Sequence, residues 1–472
     1  MTEEEATAVL NRVGAPSVSS EALGEWMLAQ RWFGAKAREL GSIAILDAVP
    51  IADSDDPLLL LIVEVRAPTG THDLYQLPVG VAPAAAEPLP GQISEQDGVA
   101  IYDALGDERH TAKLGQLIAA AASISAGAST VSFQPAGEVE LASRPSARRV
   151  STEQSNSSVV LDDRYILKAF RRLEAGINPE LEMLSFLAHH GFRHIAPVAG
   201  SYSYQGELFE TTLGIMQRFV PNARDGWELV LEALGRGAGE EMIEPLGELG
   251  AVTGQMHATL AGDPEDPEFA PEEPSDEHVA LMTATIDEQI ERLFVELPDR
   301  EALAPILGRG EELRDRLAML SHTGVGGRLI RSHGDYHLGQ TLLDESGWIV
   351  LDFEGEPGRP LRERRRKRSP LRDVAGMLRS FAYAALAGEL LQGGPPPSGD
   401  WERQVRESFL EGYMAAIDQA LLPAGAQAIE KQLAMFELEK VLYELRYELE
   451  NRPDWLVVPV SGILRLLEGP TP

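Results

Sequence analysis

The sequence predicts an α+β protein built as two lobes, on three observations. Short strand-like segments bounded by turn residues crowd the chain before about residue 220. Helical periodicity dominates beyond it. Within that helical half, the stretch RSHGDYHLGQTLLDESGWIVLDFEGEP at 331–357 reads instead as a β-hairpin carrying two histidines and several acids. Strands first and helices after suggest an α+β chain rather than an alternating α/β one.

The elements follow in order. SSEALGEWMLAQRWFG at 19–34 reads as a helix. IAILDA (43–48), LLLLIVEV (58–65) and LYQLPVG (74–80) read as strands. LGQLIAAAASISAG at 114–127 reads as one helix closed by glycine. LASRPSARRV at 141–150 is small, polar and proline-containing, and is taken as a segment boundary. In SSVVLDDRYILKAF, two alternating strands pivot on Asp162-Asp163. AGINPELEMLSFLAHHGF then gives a helix with Asn178 as N-cap and Pro179 at its first position. DPEDPEFAPEEPSDEH (263–278) and LLQGGPPPSGD (390–400) read as loops.

Composition narrows the function classes. There is no cysteine, so thiol catalysis, zinc–thiolate sites and disulfides are excluded. The formal net charge is −33, which disfavours nucleic acid and anionic membrane surfaces as partners. The start, MTEEEATAVL, lacks the basic region of a secretory signal. The longest apolar run, PLLLLIVEV, is far short of the ~20 residues of a membrane helix. A cytoplasmic protein acting as a monomer on a small molecule is the expectation.

Two groups of residues carry chemistry. In the strand-rich half, the loop 152–158 offers Ser155, Asn156 and Ser157, with backbone donors, to cover phosphates. Lys168 on the next strand and Glu182 on the helix after it have the order of the ion pair with which kinases hold nucleotide phosphates. The strand ending at Gln217–Phe219 stands where a kinase hinge meets adenine through its backbone. In the hairpin stretch, Gly334 and Gly339 argue against the helix that would aim His333 and His337 at one zinc. No G-x-S-x-G elbow supports a serine hydrolase. Phosphoryl transfer fits better. Asp335 would take the acceptor proton beside His333, and Gln340 with Asp352 would hold Mg²⁺. The elements follow one another in protein-kinase-like order.

The segments EQSNSSVV, ILKAFRRLEAGINPELE, HGDYHLGQTLL, VLDFEGEPGRPLRERRRKRSPLRDVAGMLRSF and YELRYELENRPDWL closely resemble the actinobacterial maltokinases. These are eukaryotic-like sugar kinases related to aminoglycoside phosphotransferases and bacterial glucosamine kinases. QRWFGAKAREL and YQLPVG resemble that family's N-terminal cap. The resemblance implies a bilobal protein-kinase-like fold with a cap subdomain at 1–90, the rest of an ATP-binding lobe at 91–220, and a mainly helical lobe with catalytic loop and sugar site at 221–472. It also implies ATP and Mg²⁺ as cofactors. The reaction it implies is phosphorylation of maltose at the anomeric hydroxyl, giving maltose 1-phosphate for α-glucan synthesis. Gln340 stands where many related phosphotransferases carry asparagine, a departure the maltokinases share. Glucosamine as the acceptor, and a catalytically idle nucleotide-binding module, are the alternatives.

Two further stretches bear on the site. RERRRKR at 362–368 reads as a salt-bridged surface segment, or as an activation-loop-like segment that draws in anionic nucleotide. In FELEKVLYELRYELENRPDW, Leu438, Leu442, Leu445 and Leu449 make an apolar stripe, leaving Lys440, Glu444, Tyr447 and Glu448 on other faces. These four, with His337, are expected to meet the sugar through aromatic and polar contacts.

Overall fold

The structure is a computed structural model that describes residues 18–34, 41–52, 56–85, 87–150, 155–321, 326–356, 358–392 and 400–468. The start of the chain, residues 35–40 of the cap-like stretch, 152–154 of the expected phosphate loop and 393–399 of the second proline-rich loop lie outside the described residues. The chain forms two compact units, 1–185 with 196–221, and 186–195 with 222–472.

In the first unit, helix α1 (Ser20–Ala29) starts at Ser19, whose hydroxyl accepts the Ala22 N–H. It precedes strands β1 (Ser42–Ala52), β2 (Leu58–Arg66), β3 (His72–Pro83), β4 (Gln92–Gln96) and β5 (Val99–Asp103). They pair antiparallel in the order β1-β2-β3-β5-β4. The unbroken apolar run of β2 has a physical reason, since one side of it packs with α1 and the other with a second sheet. α2 (Glu108–Ala119) starts at Asp107, which accepts the Arg109 N–H.

The helix expected over 114–127 ends at Ala119. Ala121 turns to φ +50°, and Ser123–Ala126 is strand β6. Ser, Ile and Ser alternate there against β7 (Ser129–Pro135), and a pleated edge suits the β-branched residue better than a helix does. The segment taken as a boundary is likewise structured: β8 (Ala147–Arg149) pairs with β9 (Ser157–Leu161). The β9–β10 hairpin, β10 being Tyr165–Ala169, turns at Asp162 and Asp163 with φ +51° and +49° as expected. β11 (Arg172–Leu173) pairs with β3. Helix α3 (Pro179–His189) then begins behind Asn178, whose side chain accepts the Glu180 N–H at 2.8 Å. β12 (Val198–Gln205) and β13 (Glu210–Arg218) complete a sheet ordered β6-β7-β12-β13-β10-β9-β8.

The second unit is mainly helical. β14 (Arg224–Asp225) leads into α4 (Gly226–Gly235), α5 (Ile243–Leu260), α6 (Asp276–Val295) and α7 (Gly310–Ser321). The expected hairpin is β15 (Thr341–Asp344) and β16 (Gly347–Val350), paired with β14. The short α8 (Leu361–Arg364) precedes α9 (Leu371–Gln392), α10 (Trp401–Ala416), α11 (Ala426–Asn451) and α12 (Val457–Glu468). Leu438, Leu442 and Leu445 of α11 are buried in a cluster with α6, α7 and α12, as the stripe predicted. Among the described residues, no helix is long and apolar enough to cross a membrane.

Candidate active site

In the first unit, β10 carries Lys168 into a buried position where Nζ meets Glu180 Oε2 at 2.8 Å. The expected partner was Glu182. Glu180 sits in the first turn of α3, and two residues along a helix turn a side chain by about 200°. Where the helix starts therefore decides which glutamate of PELE faces the lysine.

The expected phosphate loop is also corrected. Ser155 is exposed, but Asn156 and Ser157 are buried, and the Ser157 hydroxyl accepts from Arg171 Nε at 2.8 Å. Arg171 is itself fully buried and paired with Asp103 at 2.6 Å. The Ser157 hydroxyl is thus committed to the fold. On the hinge-like strand, the Phe219 N–H donates to the Arg164 carbonyl and the Arg218 N–H to that of Pro197. The Gln217 side chain donates to the Ala196 carbonyl at 3.1 Å. The Phe219 N–H is thus not left for a base, and one N–H of the Gln217 side chain is spent on the fold.

In the second unit, the hairpin stretch forms a connected loop. His333 is buried. Its Nε2 donates to the Leu351 carbonyl at 2.7 Å, and its Nδ1 accepts the Asp335 N–H at 3.3 Å. With both ring nitrogens used, His333 positions Asp335 rather than reacting, which corrects its expected catalytic role. His337 Nδ1 accepts the Gly339 N–H, capping the single 3₁₀ turn Leu338–Gln340, and the residue does not line the cavity onto which Asp335 opens. Burial holds its imidazole below the usual range, with Lys440 and His333 adding to the effect against the pull of Asp335. His337 thus places Gln340 rather than a sugar.

Gln340 Nε2 lies 3.1 Å from Asp352 Oδ2. Asp352 has φ +61°, a left-handed conformation that costs a non-glycine residue about 1–3 kcal/mol. Leu351 holds it there, its N–H on the Gln340 carbonyl at 2.9 Å and its carbonyl on His333.

Asp373, in the first turn of α9, was not foreseen. It is 2% exposed and accepts from the His333 N–H (2.7 Å), the Gly334 N–H (2.9 Å) and His257 Nε2 (3.1 Å). Burial opposes its charge, but these donors outweigh burial and hold the carboxyl below its ordinary 3.8. SPLRDVAGMLRSF contains it, and only its placement against the loop that carries Asp335 shows what it holds.

Asp335 opens onto a cavity of about 530 Å³ within this unit, walled by Tyr336, Glu356, Arg359, Arg372 and the face of α11 with Phe436, Glu439, Lys440 and Tyr443. Lys440 Nζ is 3.4 Å from Asp335 Oδ1 and sits over the Tyr443 ring. Burial works against its charge, yet Asp335, Glu356 and Glu444 hold it above the usual lysine range. Glu356 pairs with Arg359 and Arg372, and Arg372 also reaches Glu439 at 2.9 Å.

Glu444 and Glu448 are not in this wall. Glu444 is locked to Arg379 (2.7 Å), and Glu448 to Arg452 and Tyr383. With Glu437 they form a strip roughly 130° round α11 from the cavity face, at about 100° per residue. Tyr447 lies one turn past Tyr443, stacked on it outside the cavity. Lys440 was foreseen; the aromatic wall is Tyr443. The basic run is salt-bridged in part, Arg365 to Glu268 and Lys367 to Glu272 of the acidic loop.

Residues 26–107 match the maltokinase N-terminal cap domain, and residues 146–416 match the phosphotransferase enzyme family. A glucosamine kinase of Mycolicibacterium smegmatis is 28% identical over 339 residues, covering 69% of this chain and 80% of that one. A glucosamine kinase of Streptacidiphilus jiangxiensis is 26% identical over 336 residues, covering 68% and 73%. Two solved glucosamine kinase structures share the fold over 95% of this chain and 99% of theirs. One, in complex with glucosamine, ADP and inorganic phosphate, has a TM-score of 0.68 at 19% identity. The other, crystal form B, has a TM-score of 0.70 at 20%.

Proposed function

Because the chain belongs to the phosphotransferase enzyme family and carries a maltokinase-type cap, we propose that it is an ATP-dependent sugar kinase that phosphorylates maltose at the anomeric hydroxyl. Asp335 takes the hydroxyl proton as the sugar oxygen bonds to the γ-phosphorus and the bond to ADP breaks. Lys168, steadied by Glu180, holds the nucleotide phosphates. The residues fit magnesium: Asp352 and the Gln340 amide, hydrogen-bonded to each other on an over-determined backbone, offer the hard oxygen ligands that this ion would take. Bound there, the ion neutralises charge on the phosphates.

The observation that carries the choice of maltose is the acceptor cavity. Its 530 Å³ corresponds to about eighteen water volumes, between the roughly twelve non-hydrogen atoms of one hexose and the roughly twenty-three of a disaccharide, so the charge of its lining bears on the choice more than its size does. Among the described residues, its inner carboxylates Asp335, Glu356 and Glu439 already face Lys440, Arg359 and Arg372. A neutral disaccharide asks for room and hydroxyl partners; an aminosugar asks for an uncompensated carboxylate. The names of the two relatives favour the second reading, glucosamine.

ADP release measured over a panel of sugars separates them. Maltose is expected to be the best acceptor, and glucosamine turned over much faster than maltose ends the maltose reading while leaving a kinase. Asp335→Asn is expected to lower turnover ~10²–10⁴-fold with nucleotide affinity unchanged. Near-normal turnover removes Asp335 from its role.

A further inference from the structure

Beside the acceptor cavity, and sharing Arg359, Arg372, Phe436 and Glu439 with it, lies a second chamber of about 250 Å³ in the same unit. Its wall holds five cations, Arg359, Arg366, Lys367, Arg368 and Arg372, against two carboxylates, Glu363 and Glu439. That excess of positive charge stands out in a chain of net charge −33.

Lys367 is satisfied by Glu272, and Arg372 by Glu356 and Glu439. Arg359 has Glu356 and, at 3.5 Å, Glu363. Among the described residues, Arg366 and Arg368 form no ion pair within 4 Å, though Glu439 and Glu356 lie near enough to act on Arg368. Arg368 is half-buried and held by its backbone, which exchanges both hydrogen bonds with Ile330. Its guanidinium is pushed down to about 10 by burial first, then by Arg372 and Arg359, against the pull of Glu439 and Glu356. Ser369 and Gln432, hydrogen-bonded to each other, add polar groups to the same wall.

We propose that this chamber binds a phosphate-class dianion, either free phosphate or the phosphate of a phosphorylated sugar, through Arg368 and Arg366. A dianion there relieves the repulsion among the arginines and meets guanidinium forks whose geometry matches its oxygens. It also competes with Glu356 and Glu439 for Arg359 and Arg372. Occupancy of the chamber therefore changes the hydrogen-bonding capacity of the acceptor cavity, and the two sites are coupled in both directions. The proposal does not depend on which sugar is the acceptor.

The test uses the full chain without nucleotide, titrated calorimetrically with inorganic phosphate and separately with a hexose 1-phosphate. Wild type is expected to bind at least one of them, and the double substitution Arg366→Gln, Arg368→Gln to weaken that binding at least tenfold. Arg368→Lys should fall between, keeping the charge but losing the fork. Tighter binding of inorganic phosphate identifies the free ion as occupant, and tighter binding of the hexose phosphate identifies a sugar-borne one; either supports the site. Lys168→Met keeps phosphate binding intact if the chamber is the site. No binding by wild type, equal binding by the double variant, or loss of binding in Lys168→Met overturns the proposal.

Discussion

Asp373→Asn tests whether the catalytic loop is held from beneath. The substitution preserves shape but turns one acceptor oxygen into a donor. Oδ2 accepts from both His333 N–H and His257, so the best placement keeps the amide oxygen there and sets the new NH₂ against the Gly334 N–H. The Gly334 N–H and the new amide NH₂ then both lack an acceptor, at about 1–3 kcal/mol each, and two bonds lose their charged partner, at about 1 kcal/mol each. The sum, roughly 4–8 kcal/mol, corresponds to a fall of at least about 8 °C in melting temperature for a domain of this size. A shift of about 1 Å at Asp335 would further lower kcat ~10²-fold. Thermal melting and coupled ADP release measure the two effects. The pH dependence has a definite sign. The folded-state pKa of Asp373 is depressed below 3.8, so its contribution is complete above that value and is lost as pH falls through the folded-state value. The melting gap between wild type and variant should therefore be full above about pH 5, narrow as pH falls below 3.8, and close only below the folded-state value. Unchanged melting and turnover would refute the anchoring argument. A lowered melting temperature with normal kcat would leave Asp373 a stabilising residue that does not position Asp335.

Asp352→Ala should abolish Mg²⁺-dependent turnover and weaken Mg²⁺–ATP binding, read by metal titration of the rate; unchanged binding places the metal elsewhere. Tyr443→Ala should raise the acceptor Michaelis constant about tenfold, equivalent to ~1.4 kcal/mol, whereas Tyr447→Ala, outside the cavity, should change it less than about twofold. Glu444→Ala leaves the buried Arg379 guanidinium without its carboxylate and should cost about 3–5 kcal/mol of stability in chemical denaturation. An acceptor Michaelis constant that rises with no loss of stability would instead put Glu444 at the sugar.

Local chemistry made part of this protein legible from residue order alone. The Asp162-Asp163 hairpin, the Asn178 cap, the β15–β16 hairpin with Gln340 and Asp352 at its base, and the leucine stripe of α11 each depend on neighbours a few residues apart. Periodicity and turn chemistry act over that range, so the sequence determines them by itself. The division into a strand-rich and a helical half followed for the same reason.

Which face of an element meets which neighbour was decided only by the tertiary structure. Glu180 rather than Glu182 meets Lys168 because the start of α3 sets the phase of the whole helix. Ser157 is spent on Arg171, and Arg171 on Asp103, a residue far away in the chain. Glu444 looked like a polar residue available to a sugar, yet burial forced it onto Arg379. A buried charge must find its counter-charge wherever packing brings one, and that partner bears no fixed relation to sequence distance.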